Sequence, residues 1–304
     1  MTDVAAPIQD LMLDMGRHAR AAADALRATT PETRTEALTR LASGLRAAEA
    51  EILAANARDI ENARASGLTE ALIDRLALTP ARIEGMAVAV ETIAAQPDPV
   101  GAEMARWTPA NGLDIARVRT PIGVLGVIYE SRPNVTADAA ALCIRSGNAA
   151  ILRCGSDCLQ SSLAIAEAVR IALIGADLPA DAIQLIATPD RDAVGHLLSG
   201  LEGTVDLLIP RGGKSLVARV QSEARAPVLG HLEGLCHTYL HHTADLDVAR
   251  RVTLNAKMRR VSVCGATETL LVDRAGAERL LPQVAADLMA AGCELRGDDA
   301  ARAL

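Results

Sequence analysis

The sequence predicts an α/β protein: a helical N-terminal region followed by a mainly parallel sheet with flanking helices. Three observations carry that prediction. Roughly the first hundred residues hold apolar positions at helical spacing, with helix-start signals and no strand-like run. From Trp107 onward, short apolar runs alternate with helical stretches. The alternation continues over many units, which is how parallel strands joined by crossover helices look in sequence.

Taken in order, residues 8–28 form the first amphipathic stretch. The stretch from Thr30 to Gly67 reads as one helical segment, with Thr30 placed to cap, Pro31 at the first helical position and Gly67 as a stop. Thr79 and Pro80 repeat the start signal. "RWTPANGLDIARVRT" is the segment expected to join helices to sheet. The apolar runs 124–130, 149–155, 183–187 and 205–210 read as strands, each followed by a helix: about 134–145, 159–174, 190–199 and 214–224. "PVLGHLE" and "HTYLHH" follow as further strand-like runs. Then come a helix over 245–258, the run 268–273 and a helix near 277–291.

Composition removes several function classes. The chain has 304 residues, enough for one large domain or two, and half of them are hydrophobic, which excludes disorder as the dominant state. One Trp, two Tyr and no Phe leave almost no aromatic platform for single-stranded nucleic acid. A net charge of -7 argues against a nucleic-acid or anionic-membrane partner. No window of 18 uninterrupted apolar residues predicts a membrane span. The start, "MTDVAAPIQD", is acidic where a secretory signal needs basic residues, so a cytoplasmic location is expected, with the six cysteines reduced.

Ligands of open parallel sheets bind beyond the carboxyl ends of the strands. Three predicted strands end in turns that offer a cation, a glycine or a hydroxyl: "ESRPN", "RCGSD" and "RGGKS". Such turns hold phosphate on backbone N–H groups and basic side chains. Each alone is also an ordinary strand-to-helix turn; three on one sheet point to a nucleotide. Two familiar fingerprints are missing. Leu208 stands where a P-loop needs glycine, and no G-x-G-x-x-G follows a strand. No metal site is expected. Cys154 and Cys158 lack a second pair, and His241 and His242, if in a strand, point to opposite faces.

Cys264, in "RRVSVCGATETLLVDR", has three readings: a small buried hydrophobe, a metal ligand or a nucleophile. Lys257, Arg259 and Arg260 precede it, and nearby positive charge favours thiolate. Gly265 would let a substrate carbonyl approach, with the Cys264 N–H as an oxyanion donor. Glu233 stands upstream at the end of an expected strand. Cys143, among Ala, Leu and Ile, reads as core, and Cys293 lies near the end of the last helix.

"GVIYESRPNVTADAAALCIRSGNAAILRCGSD", "DLLIPRGGKSLVARVQSEARAPVLGHLEGLCH" and "LNAKMRRVSVCGATETLLVD" resemble the glutamate-5-semialdehyde dehydrogenases, or gamma-glutamyl phosphate reductases, a branch of the aldehyde dehydrogenase superfamily. The likeness runs from the N-terminal helices to about Asp273. It implies an aldehyde-dehydrogenase-like fold. Residues 1–255 would hold the N-terminal helices and an NADP-binding domain, with part of an oligomerisation segment near 107–125. Residues 256–304 would begin a catalytic domain. The implied reaction is NADPH-dependent reduction of L-glutamyl 5-phosphate, a step of proline biosynthesis, through a thioester on Cys264. The resemblance places Asn134 in the oxyanion hole, with Ser131 as the alternative. It matches Glu233 to the superfamily's upstream glutamate, in a catalytic or a structural role. Arg153, Gly155 and Ser156 would meet the adenosine ribose and its phosphate, and Gly212, Gly213 and Lys214 the pyrophosphate. A homo-oligomer when complete and functional coupling to glutamate 5-kinase are also implied. Many relatives read Thr-Gly-Val-Cys-Asn where this chain reads Val-Ser-Val-Cys-Gly, so Gly265 lacks a substrate-contacting amide. Family members continue beyond Leu304. The C-terminal part is therefore expected to be incomplete and turnover by this chain low; the alternative reading is an inactive nucleotide-binding fragment.

Overall fold

Thr30 and Thr79 cap as their sequence context requires. Each side-chain oxygen accepts from the amide three residues on, Thr33 and Arg82, and each helix opens with proline. The computed structural model describes residues 5–230, 234–261 and 263–304. They fall into two compact units, Met1–Gly230 and His231–Leu304.

The first unit opens with α1 (Ala5–Arg27), α2 (Pro31–Ala47), α3 (Glu49–Ala65), α4 (Glu70–Leu76) and α5 (Pro80–Ala94). The single helical segment expected over 30–67 is thus two helices, broken at Ala48, whose ψ of 13° leaves the helical range. β1 (Glu103–Trp107) and β2 (Ile115–Val118) form an antiparallel hairpin inside the expected joining segment. Then follow β3 (Val124–Tyr129), α6 (Val135–Arg145), β4 (Ala149–Arg153), α7 (Leu159–Gly175), β5 (Ile183–Leu185), α8 (Asp192–Leu198), β6 (Leu207–Arg211) and α9 (Lys214–Glu223). The four strands make a parallel sheet in the order β5-β4-β3-β6.

Alternation within β3 and β4 builds the two faces. Leu125, Val127, Tyr129, Ala150 and Leu152 join a core with residues of α2, α5, α6 and α7. Val124, Ile128, Ala149 and Ile151 join a second core with residues of α1, α8 and α9. All six residues of β3 are buried, as expected of a strand covered on both faces. The stretch Ser156–Gly175 is long and apolar enough to cross a membrane. Here it supplies the core helix α7, with Ile165, Val169 and Leu173 buried. "PVLGHLE" forms no strand among its described residues and contributes one isolated bridge, Leu208 to Val228.

The second unit holds β7 (His237–Leu240), α10 (Leu246–Met258), β8 (Thr269–Val272), α11 (Ala277–Ala290) and α12 (Asp299–Arg302). β7 pairs in parallel with β8 and with no strand of the four-stranded sheet. The expected division near residue 255 falls inside α10. The unit's core is Leu240, Ala249, Leu280, Val284 and Leu288. Arg250 binds Asp287 through two hydrogen bonds of 2.7 and 2.9 Å and ties α10 to α11.

Candidate active site

The strand order creates a crevice. β3 is followed by α6 on one face of the sheet, whereas β6 is followed by α9 on the other. The chain therefore diverges at the carboxyl ends of these neighbouring strands, the switch point where open α/β sheets bind ligands. "ESRPN" leaves β3 here and "GGK" leaves β6.

At the β6–α9 turn, the Gly213 amide donates to Glu130 Oε2 at 3.0 Å. A Cβ on Gly212 would lie 2.5 Å from that same oxygen and 2.7 Å from Leu216 Cδ2, so a larger residue would have to displace the ends of those two side chains. A resident carboxylate thus sits on an amide at a helix N-terminus, showing that this turn accepts an anion. Lys214, exposed, begins the helix.

The β4–α7 turn is arranged differently. A Cβ on Gly155 would press on the Asp157 carboxylate, which a larger residue would have to displace. Ser156 is exposed. Arg153 is only 6% exposed; its guanidinium donates to the Cys154 carbonyl and, at 3.1 Å, to the Pro189 carbonyl. It is turned onto the protein backbone, onto the carbonyls of buried Cys154 and exposed Pro189. The start of α7 is already capped. Asp59, from α3, accepts from the amides of Gln160 (3.2 Å) and Ser161 (2.7 Å) and from the Ser161 hydroxyl (2.6 Å). Both helix termini thus carry a carboxylate, Glu130 at α9 and Asp59 at α7.

After β3, Ser131 takes a left-handed φ of 48°. Its hydroxyl donates to Asp157 Oδ2, which ties the β3 turn to the β4 turn. Asn134 Nδ2 donates to Asp138 Oδ2 at 2.9 Å, one turn along α6. Burial holds the Asp138 carboxyl above its ordinary range, partly offset by that hydrogen bond.

Cys264 lies in the second unit, in the turn between α10 and β8. Of the three readings, burial is excluded: the thiol is exposed, whereas Cys143, Cys154 and Cys158 are buried. Burial pushes the Cys143 thiol up to about 12. The turn is pinned to the approach of β7. The amides of Glu268 and Thr269 donate to the Cys236 carbonyl at 2.9 and 3.1 Å, and Cys236 Sγ donates to the Cys264 carbonyl at 3.2 Å. A Cβ on Gly234 would stand 2.6 Å from that carbonyl oxygen. No described residue lies within 4 Å of where a Cβ on Gly265 would be. Glu233 lies outside the described residues.

Sequence reasoning missed Glu130 and Asp59 as individual residues. Glu130 had a usable signal, being the first residue after the strand at the switch point. Asp59 had none, because its partners lie about a hundred positions away in sequence.

A parallel sheet with an anion-accepting glycine turn at its switch point, and a strand entered through an exposed cysteine, define the class: a nucleotide-binding α/β enzyme with a thiol. The aldehyde dehydrogenase family model matches residues 4–297. The chain belongs to that family, a family that uses nicotinamide cofactors, and within it to the gamma-glutamyl phosphate reductase branch. It is 62% identical to the gamma-glutamyl phosphate reductase of Caulobacter sp. (strain K31) over 297 residues, 98% of this chain and 71% of that one. The corresponding protein of Hyphomonas neptunium is 60% identical, with 98% and 70% covered. The crystal structure of the gamma-glutamyl phosphate reductase of Thermotoga maritima superposes with a TM-score of 0.89 at 41% identity, over 96% of this chain and 70% of that one.

Proposed function

We propose that the protein reduces L-glutamyl 5-phosphate to L-glutamate 5-semialdehyde with NADPH, through a thioester on Cys264. The carrying observation is the exposed Cys264 thiol at the entrance to β8, in a chain so close to gamma-glutamyl phosphate reductases. Cys264 Sγ attacks the acyl carbonyl, the bond to the phosphate oxygen breaks, and phosphate leaves with the electron pair. The reduced nicotinamide, when bound, supplies a hydride to the thioester carbonyl. The tetrahedral species then expels the Cys264 thiolate and releases the aldehyde. No water need be activated, because phosphate departure replaces hydrolysis; Glu233 is proposed to tune the thiol or support the cofactor.

Gly212, Gly213 and Lys214 are proposed to hold the pyrophosphate. The close approach of Glu130 and Leu216 to Gly212 and the carboxylate already on the Gly213 amide support this. Gly155 and Ser156 are proposed to face the adenosine ribose and its phosphate, with Arg153 bracing the turn from behind. Asn134 is proposed as the oxyanion donor, its Nδ2 leaving Asp138 when substrate binds; Ser131 is the alternative. The β1–β2 hairpin exposes Met104, Trp107 and Val118, which supports self-association. An acyl phosphate substrate also supports functional coupling to the kinase that makes it. The reaction is proposed to run in the cytoplasm.

The test is the reverse reaction: pyrroline-5-carboxylate, NADP and phosphate, followed by NADPH absorbance. Phosphate-dependent NADPH formation is expected. Cofactor binding without any turnover would instead favour a nucleotide-binding role.

A further inference from the structure

β7 and β8 run parallel with Leu240 opposite Val272, so the residues that follow, His241 and Asp273, leave the strands side by side. β7 ends at Leu240, and the two histidines lie in the turn before α10 rather than in a strand. They do not point to opposite faces, as a strand would require: their ring centroids are 4.0 Å apart. His242 Nδ1 is 2.6 Å from Asp273 Oδ2, and His241 Nε2 is 4.0 Å from the same oxygen. One ligand atom from each residue falls within 4.8 Å of the others.

The surroundings fix this arrangement. Asp273 Oδ1 accepts from the Ala275 amide at 3.1 Å, and Oδ2 from the His242 amide at 3.2 Å. Arg279 donates to the carbonyls of His242 and Ala244 at 2.8 and 2.9 Å, which holds the turn against α11. His241 Nδ1 lies 2.8 Å from the Thr243 hydroxyl. The cluster stands at the carboxyl ends of β7 and β8, whereas Cys264 stands before the amino end of β8, so the catalytic proposal makes no use of it.

We propose that His241, His242 and Asp273 bind a first-row divalent transition-metal ion, with zinc as the prototype. Two imidazoles and a carboxylate are a zinc-type ligand set, while magnesium and calcium prefer all-oxygen sites. With bonds near 2.0–2.1 Å, the donor atoms of a tetrahedral zinc site stand about 3.3 Å apart. The 2.6 Å separation must open and the 4.0 Å separation close, each by less than about 1 Å. Small rotations of exposed side chains achieve this, since the three are 50%, 46% and 22% exposed. Where His242 Nδ1 carries the ring proton towards Asp273, that proton transfers through solvent to the exposed ring's Nε2 as the ion takes its place, and the imidazole stays neutral. His241 Nδ1 accepts from the Thr243 amide at 3.3 Å; when Nε2 binds the ion the ring proton moves to Nδ1, where the Thr243 hydroxyl at 2.8 Å accepts it. Water completes the coordination. The ion then fastens the ends of two strands in a unit with a small buried core, and so stabilises the folded state that binds it.

The test uses Co2+ as a spectroscopic probe on the untagged, metal-free chain. The expected result is one equivalent bound, with d–d absorption of nitrogen and oxygen ligation and no thiolate charge-transfer band. Zn2+ should displace the cobalt and raise the melting temperature. His241→Ala and Asp273→Asn should each weaken binding at least about tenfold. Both are surface substitutions, and asparagine retains the acceptor for the Ala275 amide, so circular dichroism should be unchanged. Three results would overturn the proposal: no saturable binding, a thiolate band marking the ion at Cys236 or Cys264, or affinity that both variants leave intact.

Discussion

The Glu130 carboxylate occupies the Gly213 amide at 3.0 Å, at the start of α9 and at the point where the strand order of the sheet reverses. Glu130 leaves β3 and Gly213 leaves β6, and these strands are hydrogen-bonded neighbours. The contact therefore follows from parallel register: Tyr129 pairs with Arg211, and the residues just beyond meet across the crevice. It places a negative charge where the proposed cofactor brings its pyrophosphate. Either the carboxylate moves aside on binding, or the two anions share a turn whose dipole favours only about half a charge.

Glu130→Gln should consequently tighten NADPH binding about two- to fivefold, the range of one charge at a helix N-terminus. Glutamine keeps the length and an acceptor oxygen, so the turn should keep its shape. Titration by the change in NADPH fluorescence measures the effect. Weaker binding by the variant would show instead that the carboxylate is needed to shape the turn for the cofactor.

Arg153→Ala should act mainly on stability. The residue is 6% exposed and serves two backbone carbonyls, and its loss leaves that of buried Cys154 unpaired while the Pro189 carbonyl can turn to water. A cost of about 1–3 kcal/mol is expected in urea unfolding. NADPH and NADH affinities should fall together. A loss confined to NADPH would mean that the guanidinium swings out to the ribose phosphate.

Much of the fold was legible in sequence because its periodicities are local. Thr30 with Pro31, Thr79 with Pro80, and the all-apolar β3 each declare their element within a few residues. The parts that were not legible depend on distant partners. The Pro189 carbonyl that Arg153 meets is distant in sequence. Asp59, on the amides of α7 behind the "RCGSD" turn, is more distant still. His241 and His242 read as diverging until the strand is seen to end one residue earlier. Cys264 shows the opposite case. Its setting before an apolar run told the nucleophile reading apart only through family resemblance, and the exposed turn is what removes the buried alternative.

Asp138→Asn should stabilise the protein at neutral pH. Burial raises the folded-state pKa of this carboxyl above its unfolded value, so the ionised form costs stability once pH exceeds both. The penalty fades as pH falls towards the unfolded value, about 3.9, where the carboxyl is protonated in both states. Asparagine keeps an oxygen for Asn134 Nδ2. Melting temperatures of the two proteins should differ most at pH 7–8 and converge towards pH 4. A constant difference across that range would assign the effect to packing instead of charge.

Cys264→Ser should lower the phosphate-dependent reverse activity by at least about a hundredfold while NADP binding changes less than about twofold. A serine hydroxyl is deprotonated far less readily than a thiol and has no base assigned to it here. The exchange is otherwise small: the side chain is exposed, and the turn is held by backbone contacts to Cys236, which serine leaves in place. Folding should therefore be unaffected, and circular dichroism checks it. The matching variant, Cys236→Ser, separates the two thiols of this turn. Its oxygen can still donate to the Cys264 carbonyl, so turnover should persist there. If Cys264→Ser turned over normally and Cys236→Ser did not, the nucleophile would be the thiol before β7, and the role carried onto Cys264 by family resemblance would be lost.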